Sequence, residues 1–125
     1  MTRETRRQIA RLRALARYIK ANPKDFDQGS TTSCLIGLGA RFYKGKIVRE
    51  KGMALSRIVI KRLFSQKYGI SIETIEHLFW GNYKAVNGNF KKDYKTGWTG
   101  APIPTRSVCR MLEYLASQKE KGKDV

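Results

Sequence analysis

The side chains able to do covalent or metal chemistry are few and scattered. The only histidine, His77, follows Glu76 and has no partner at a spacing that suits a metal or an activated nucleophile. Asp25, Asp27 and Asp93 would suit a metal-dependent nuclease if brought together, but nothing in their spacing joins them. Cys34 and Cys109 lie far apart, each among apolar residues. That pattern favours buried reduced thiols, with a disulfide as the alternative, and one histidine is too little to complete a zinc site. Gly37 and Gly39 lack the Gly-Lys-Ser/Thr ending of a phosphate loop and the third glycine of a dinucleotide fold, so they predict close helix packing. The expectation is a protein that is not an enzyme, with no catalytic residue, no metal and no cofactor.

Positive charge is what the chain supplies in quantity. Its 125 residues carry 26 Lys and Arg against 10 Asp and Glu, a net charge of +16. Such an excess attracts polyanions and strains the fold by self-repulsion. It is uneven: residues 1–21 and 41–67 are strongly basic, residues 68–80 are acidic, and the C-terminal helix is nearly balanced. Uneven charge predicts a basic face, the usual footprint of nucleic-acid contact. A generally cationic, soluble surface is the plainer alternative. Within 81–104, Tyr83, Phe90, Tyr94 and Trp98 alternate with Lys84, Lys91, Lys92 and Lys95. Aromatics beside cations can stack unpaired bases while holding phosphates, at about 1–3 kcal/mol per stacked base. The same aromatics could instead pin a long loop onto the helices.

These residues need elements to position them. Residues 3–21 alternate with helical period: Ile9, Leu12, Leu15, Ala16 and Ile19 form one stripe. Arg3, Arg6, Arg7, Arg13, Arg17 and Lys20 project from the other side, and Asn22-Pro23 ends the helix. An anionic membrane surface is disfavoured as the partner, because the stripe is alanine-diluted and lacks Trp and Phe. Cys34 to Phe42 is the most apolar short segment. Residues 44–54 form a basic connector whose Arg49 and Lys51 extend toward Arg57 and Lys61. Asn87-Gly88 is a hairpin signal that predicts short strands on either side, over 83–92. Val108, Met111, Leu112, Leu115 and Ala116 give a last helix over 105–119, with Thr105 as its cap.

The centre of the chain is Leu55–Trp80. Leu55, Ile58, Val59, Ile60, Leu63 and Phe64 predict a broad inward face. Gly69 suits a left-handed helix end, Ser71 a cap, and Ile70 a staple onto Ile75. Ile72, Ile75, Leu78 and Phe79 are expected to turn inward. From Lys61, the placement of Phe64, Ser65, Gly69, Ile70, Ile75 and Leu78 resembles the helix-turn-helix of DNA-binding proteins. That resemblance implies that the second helix enters the major groove, but its outward residues are Glu73, Glu76, His77 and Trp80. Two carboxylates without Arg or Lys make a structural hairpin the better reading.

Residues 10–42 and 55–80 also resemble a family of small helical proteins of bacteria and their phages. The resemblance rests on Asn22-Pro23, Phe26-Asp27, Cys34, Gly37, Gly69-Ile70-Ser71, Leu78-Phe79 and Val108-Arg110-Leu112-Leu115-Ala116. Thr31-Thr32-Ser33 replaces the family's Gly-Thr-Pro-Ala lead-in to the cysteine, and the chain is far more basic. The resemblance implies a helical fold and carries no function.

The expected architecture is a single all-α domain over residues 1–120, of four or five helices, with a short β-hairpin at 83–92 and a charged tail at 121–125; the end of the chain, from Lys119 to Val125, is expected to fray. No apolar run approaches the ~20 residues of a membrane span. The Arg-rich start holds Glu4 and no serine, unlike a secretory or organellar leader, so the expected location is cytoplasmic. The expected function is noncatalytic, low-specificity binding of RNA or DNA, or of a nucleoprotein complex. Arg3, Arg6, Arg7, Arg13 and Arg17 would neutralise phosphates, and Arg49, Lys51, Arg57 and Lys61 would extend the track. Tyr83, Tyr94 and Trp98, with Lys91, Lys92 and Lys95, would meet bases. The alternative is a phage-type inhibitor or adaptor whose basic face meets an acidic protein surface, with Trp80 and Trp98 as anchors.

Overall fold

The computed structural model of the chain describes residues 1–27, 34–48, 56–91, 94 and 103–125. Helix α1 (Arg3–Ala21) is followed by a short 3-10 turn (Pro23–Asp25) and by α2 (Leu35–Arg41). Strands β1 (Phe42–Tyr43) and β2 (Lys46–Ile47) make a small antiparallel hairpin. Helices α3 (Arg57–Tyr68), α4 (Ile72–Phe79), α5 (Tyr83–Val86) and α6 (Thr105–Glu120) complete the order. Among the described residues the fold is all-α, as the periodicity predicts, with one minimal hairpin. None of the described helices is long and apolar enough to cross a membrane.

Helix α1 is capped by Thr2, whose hydroxyl oxygen accepts from the Thr5 N–H at 3.1 Å. Its predicted stripe is buried against α6, which supplies Val108, Met111, Leu112, Leu115 and Ala116. The two run antiparallel: Cys109 lies against the Ala16 carbonyl and Glu113 against Arg13. They form the most extensive helix pair of the fold. Helix α2 packs mainly on α3 and also touches α4, and Gly39 is where it meets α3. A Cβ built there would lie 2.3 Å from the Phe64 ring, so the expected close helix packing is a steric requirement. Cys34 and Cys109 are not joined in a disulfide, and the Cys34 sulfur accepts from the Gly37 N–H at the start of α2.

The turn between α3 and α4 follows its predicted chemistry. Gly69 is left-handed at φ 63°, Ser71 accepts from the Thr74 N–H, and Ile70 and Ile75 are both buried. The inward face of α3 is narrower than predicted. Only Ile60, Phe64 and Tyr68 are buried, while Ile58, Val59 and Leu63 are exposed, as is Ile72 on α4. Three consecutive residues span nearly a full turn of helix and cannot share one side. The packing of Phe64 under Gly39, and the Tyr68 hydroxyl donated to the Gly39 carbonyl at 2.7 Å, select Ile60.

Three further expectations are corrected. The hairpin lies at 42–47, not at 83–92. Lys44 and Gly45 take φ of 48° and 82°, the two positive values that a tight hairpin turn requires, whereas Asn87 and Gly88 do not. Asn87 instead forms a turn after α5, its side chain accepting from the Asn89 N–H and its carbonyl from the Phe90 N–H. Thr105 does not cap α6, which opens after Pro104 without a side-chain cap. The 121–125 tail folds back rather than fraying. The Val125 carbonyl accepts from the Ser71 N–H at 2.8 Å, and Lys119 Nζ donates to the Gly69 carbonyl at 3.0 Å.

Candidate nucleic-acid interface

The outer ridge of α1 follows from its period. Arg3, Arg6, Arg7 and Arg17 are exposed and make no ion pair among the described residues. Arg13 differs, because it is bound to Glu113 at 3.4 Å and to Glu120, both on α6. The Glu120 hydrogen bond holds its guanidinium above the ordinary arginine value. Arg13 therefore joins two helices instead of waiting for phosphate. Lys61 is likewise engaged, with Glu76 at 2.6 Å, and Arg57 sits over the Phe79 and Trp80 rings. These two cations brace the α3–α4 pair. Glu76 is thereby neutralised, but α4 still presents Glu73 and no Lys or Arg outward.

The predicted aromatic set separates into different roles. Tyr83 is fully buried, with its ring edge-on to Phe90 and to Tyr94 at 5.6 and 5.7 Å between centroids. It has no face to offer a base, and the expectation that it contacts one is corrected. Its ring, at the start of α5, packs against Phe90 in the turn that follows and against Tyr94. Phe90 is also buried. Tyr94 is half-buried and its hydroxyl shares a 2.9 Å hydrogen bond with Ser107 on α6. Arg49, Lys51, Lys92, Lys95 and Trp98 lie outside the described residues.

What the fold does bring together is a groove made of two adjoining cavities. The first, of about 620 Å³, opens between the C-terminal half of α1 and α6, and its rim carries Arg17, Lys20, Arg110 and Lys121. The second, of about 680 Å³, lies between residues 89–91 and the start of α6, and its lining brings Lys91, Arg106 and Arg110 together with Tyr94. Asn89 and Arg110 belong to both. Six cations thus face one carboxylate, Glu113, which Arg13 already holds. Arg110 is itself positioned, with its guanidinium carbon 5.1 Å from the Phe90 ring centroid. Tyr114 adds a half-buried aromatic wall to the first cavity.

Of the predicted residues, Arg17, Lys91 and Tyr94 meet in this groove, and Arg3, Arg6 and Arg7 continue along α1 away from it. Arg106 and Arg110 are not visible in the net charge of α6, which is nearly balanced. Their i, i+4 spacing at its start, with Glu113 and Glu120 further on, is the signal that separates a basic end from an acidic one. Among the described residues, no three His, Cys, Asp or Glu side chains cluster so as to hold a metal ion. Asp25 accepts from the Tyr18 hydroxyl, and Asp93 lies outside the described residues. Compared with protein-family models, with curated proteins and with solved structures, the chain has no significant match.

Proposed function

We propose that this chain is a noncatalytic nucleic-acid-binding module that holds the phosphate backbone in the groove between α1, α6 and residues 89–91. The observation that carries this reading is the charge of that groove, six cations against one carboxylate that is already paired. A concave cationic site raises the local concentration of a polyanion and makes its binding strongly salt-dependent. The arginines at the start of α1 would add sequence-independent phosphate contacts, so specificity would be low.

The test is fluorescence anisotropy of labelled oligonucleotides against salt, with Arg17→Glu and Arg106→Glu beside the unaltered chain. Affinity should fall steeply with salt, and the double charge reversal should weaken it at least about tenfold. Binding that ignores both salt and the reversals would refute the reading.

A second reading has its own observation. Ile58 is 69% exposed and Trp80 45%, and Val59, Leu63 and Ile72 are exposed on the same two helices. Apolar side chains and a tryptophan at the surface favour a protein-binding adaptor. That function would give a saturable one-to-one complex with a protein, weakened by Trp80→Ala and largely indifferent to the groove arginines.

A further inference from the structure

Resting on the nucleic-acid reading, we propose that the groove accepts an unpaired strand, with one base stacked on the outward face of Arg110 and its flanking phosphates held in the two cavities. Arg110 and Asn89 are common to both cavities, and the exposed Arg110 holds its guanidinium carbon 5.1 Å from the Phe90 ring centroid. Phe90 is buried, so the guanidinium lies against a ring that is itself packed into the core. A planar guanidinium backed by an aromatic ring offers its other side to a base, and Arg planes are a recurrent stacking surface for single strands.

The remaining groups fit the same ligand. Asn89 is exposed and lines both cavities with Arg110, and its backbone N–H donates to the Asn87 side chain while the next N–H, of Phe90, donates to the Asn87 carbonyl. Its amide carries both a donor and an acceptor, as base edges do. Arg17 and Lys20 lie on one side of Arg110, and Lys91 and Arg106 on the other, so phosphates before and after the stacked base each find cations. Each cavity falls within the roughly 300–1,000 Å³ typical of sites that enclose small molecules. A duplex fits less well. Its bases are stacked inside the helix and cannot enter a concave site without being flipped out, and α4 has no cation with which to enter a major groove.

The experiment compares a labelled single strand of about ten nucleotides with the duplex of the same sequence, using RNA and DNA, at two salt concentrations. Arg110→Lys keeps the charge and removes the plane; Asn89→Ala removes the amide; circular dichroism and thermal unfolding confirm that both variants fold. The single strand should bind at least about tenfold more tightly than the duplex. Arg110→Lys should weaken the single strand by about fivefold or more, the scale of one stacked base, with the salt slope unchanged. Asn89→Ala should weaken single-strand binding and leave duplex binding as it was. Duplex binding as tight as single-strand binding, or Arg110→Lys equal to the unaltered chain, would overturn this inference and leave the broader one standing. Failure to bind any of the four nucleic acids would overturn both.

Discussion

The Tyr83 hydroxyl is buried with no hydrogen-bond partner among the described residues. A buried hydroxyl left unpaired typically costs about 1–3 kcal/mol. Tyr83→Phe removes the oxygen and keeps the ring against Phe90 and Tyr94. It should raise stability by about 1 kcal/mol in urea unfolding. A loss of stability would mean that the oxygen makes a contact the fold depends on. Tyr83 also marks where single residues were hard to read. Interleaved with lysines, it has the composition of a stacking residue, and only the three-dimensional surroundings reveal that it is core. The partners of Arg13 are hidden in the sequence for a related reason. Its charge is plain in the sequence, but the two glutamates that hold it are 100 and 107 residues away.

At the scale of elements, the stripes of α1 and α6 were legible because each has polar residues on every other side, which leaves one orientation. The α3 face was not, because Ile58, Val59 and Ile60 are equally apolar and distant contacts choose among them. Gly39 is the main contact. Gly39→Ala should cost about 1–3 kcal/mol from overpacking against Phe64, despite the better helix propensity of alanine. Thermal unfolding would show it, and a stabilised variant would contradict the packing. Lys67 supports the same junction from α3. Its ammonium donates to the carbonyls of Gly39 at 3.5 Å, Ala40 at 3.2 Å and Phe42, the last carbonyls of α2 and its exit. Lys67→Met should cost about 1.5–3 kcal/mol, as expected for hydrogen bonds to a charged group, and should loosen the β1–β2 hairpin in hydrogen exchange. The groove itself was half legible. The α1 and lysine-rich contributions have sequence signals, but their meeting with Arg106 and Arg110 depends on α6 returning antiparallel to α1.

For the molecule as a whole, pH and salt act with signs that can be worked out. Burial pushes the Tyr68 and Tyr83 phenols and the Cys34 thiol above their ordinary values. Each keeps its proton in the folded state after the unfolded chain has lost it. The folded state then binds more protons, so stability is complete below the ordinary values of about 8.5 for cysteine and about 10 for tyrosine and falls as pH rises beyond them. Burial lowers Lys67, which acts in the opposite sense just below the ordinary lysine value and offsets part of the loss. The melting temperature should therefore decline from about pH 9 to pH 11; a flat profile would contradict the burial of these groups. Added salt should raise the melting temperature, by screening a net charge of +16, while it weakens nucleic-acid binding. The pairing of α1 with α6 has a further consequence, for synthesis. Contacts such as Arg13 with Glu113 join residues 100 apart, so α1 emerges long before its main partner exists. At roughly 5–20 residues per second, the α6 side of its apolar stripe waits about 5–20 s for cover. The nascent chain is thus open to chaperones, and to premature collapse, until the last helix arrives.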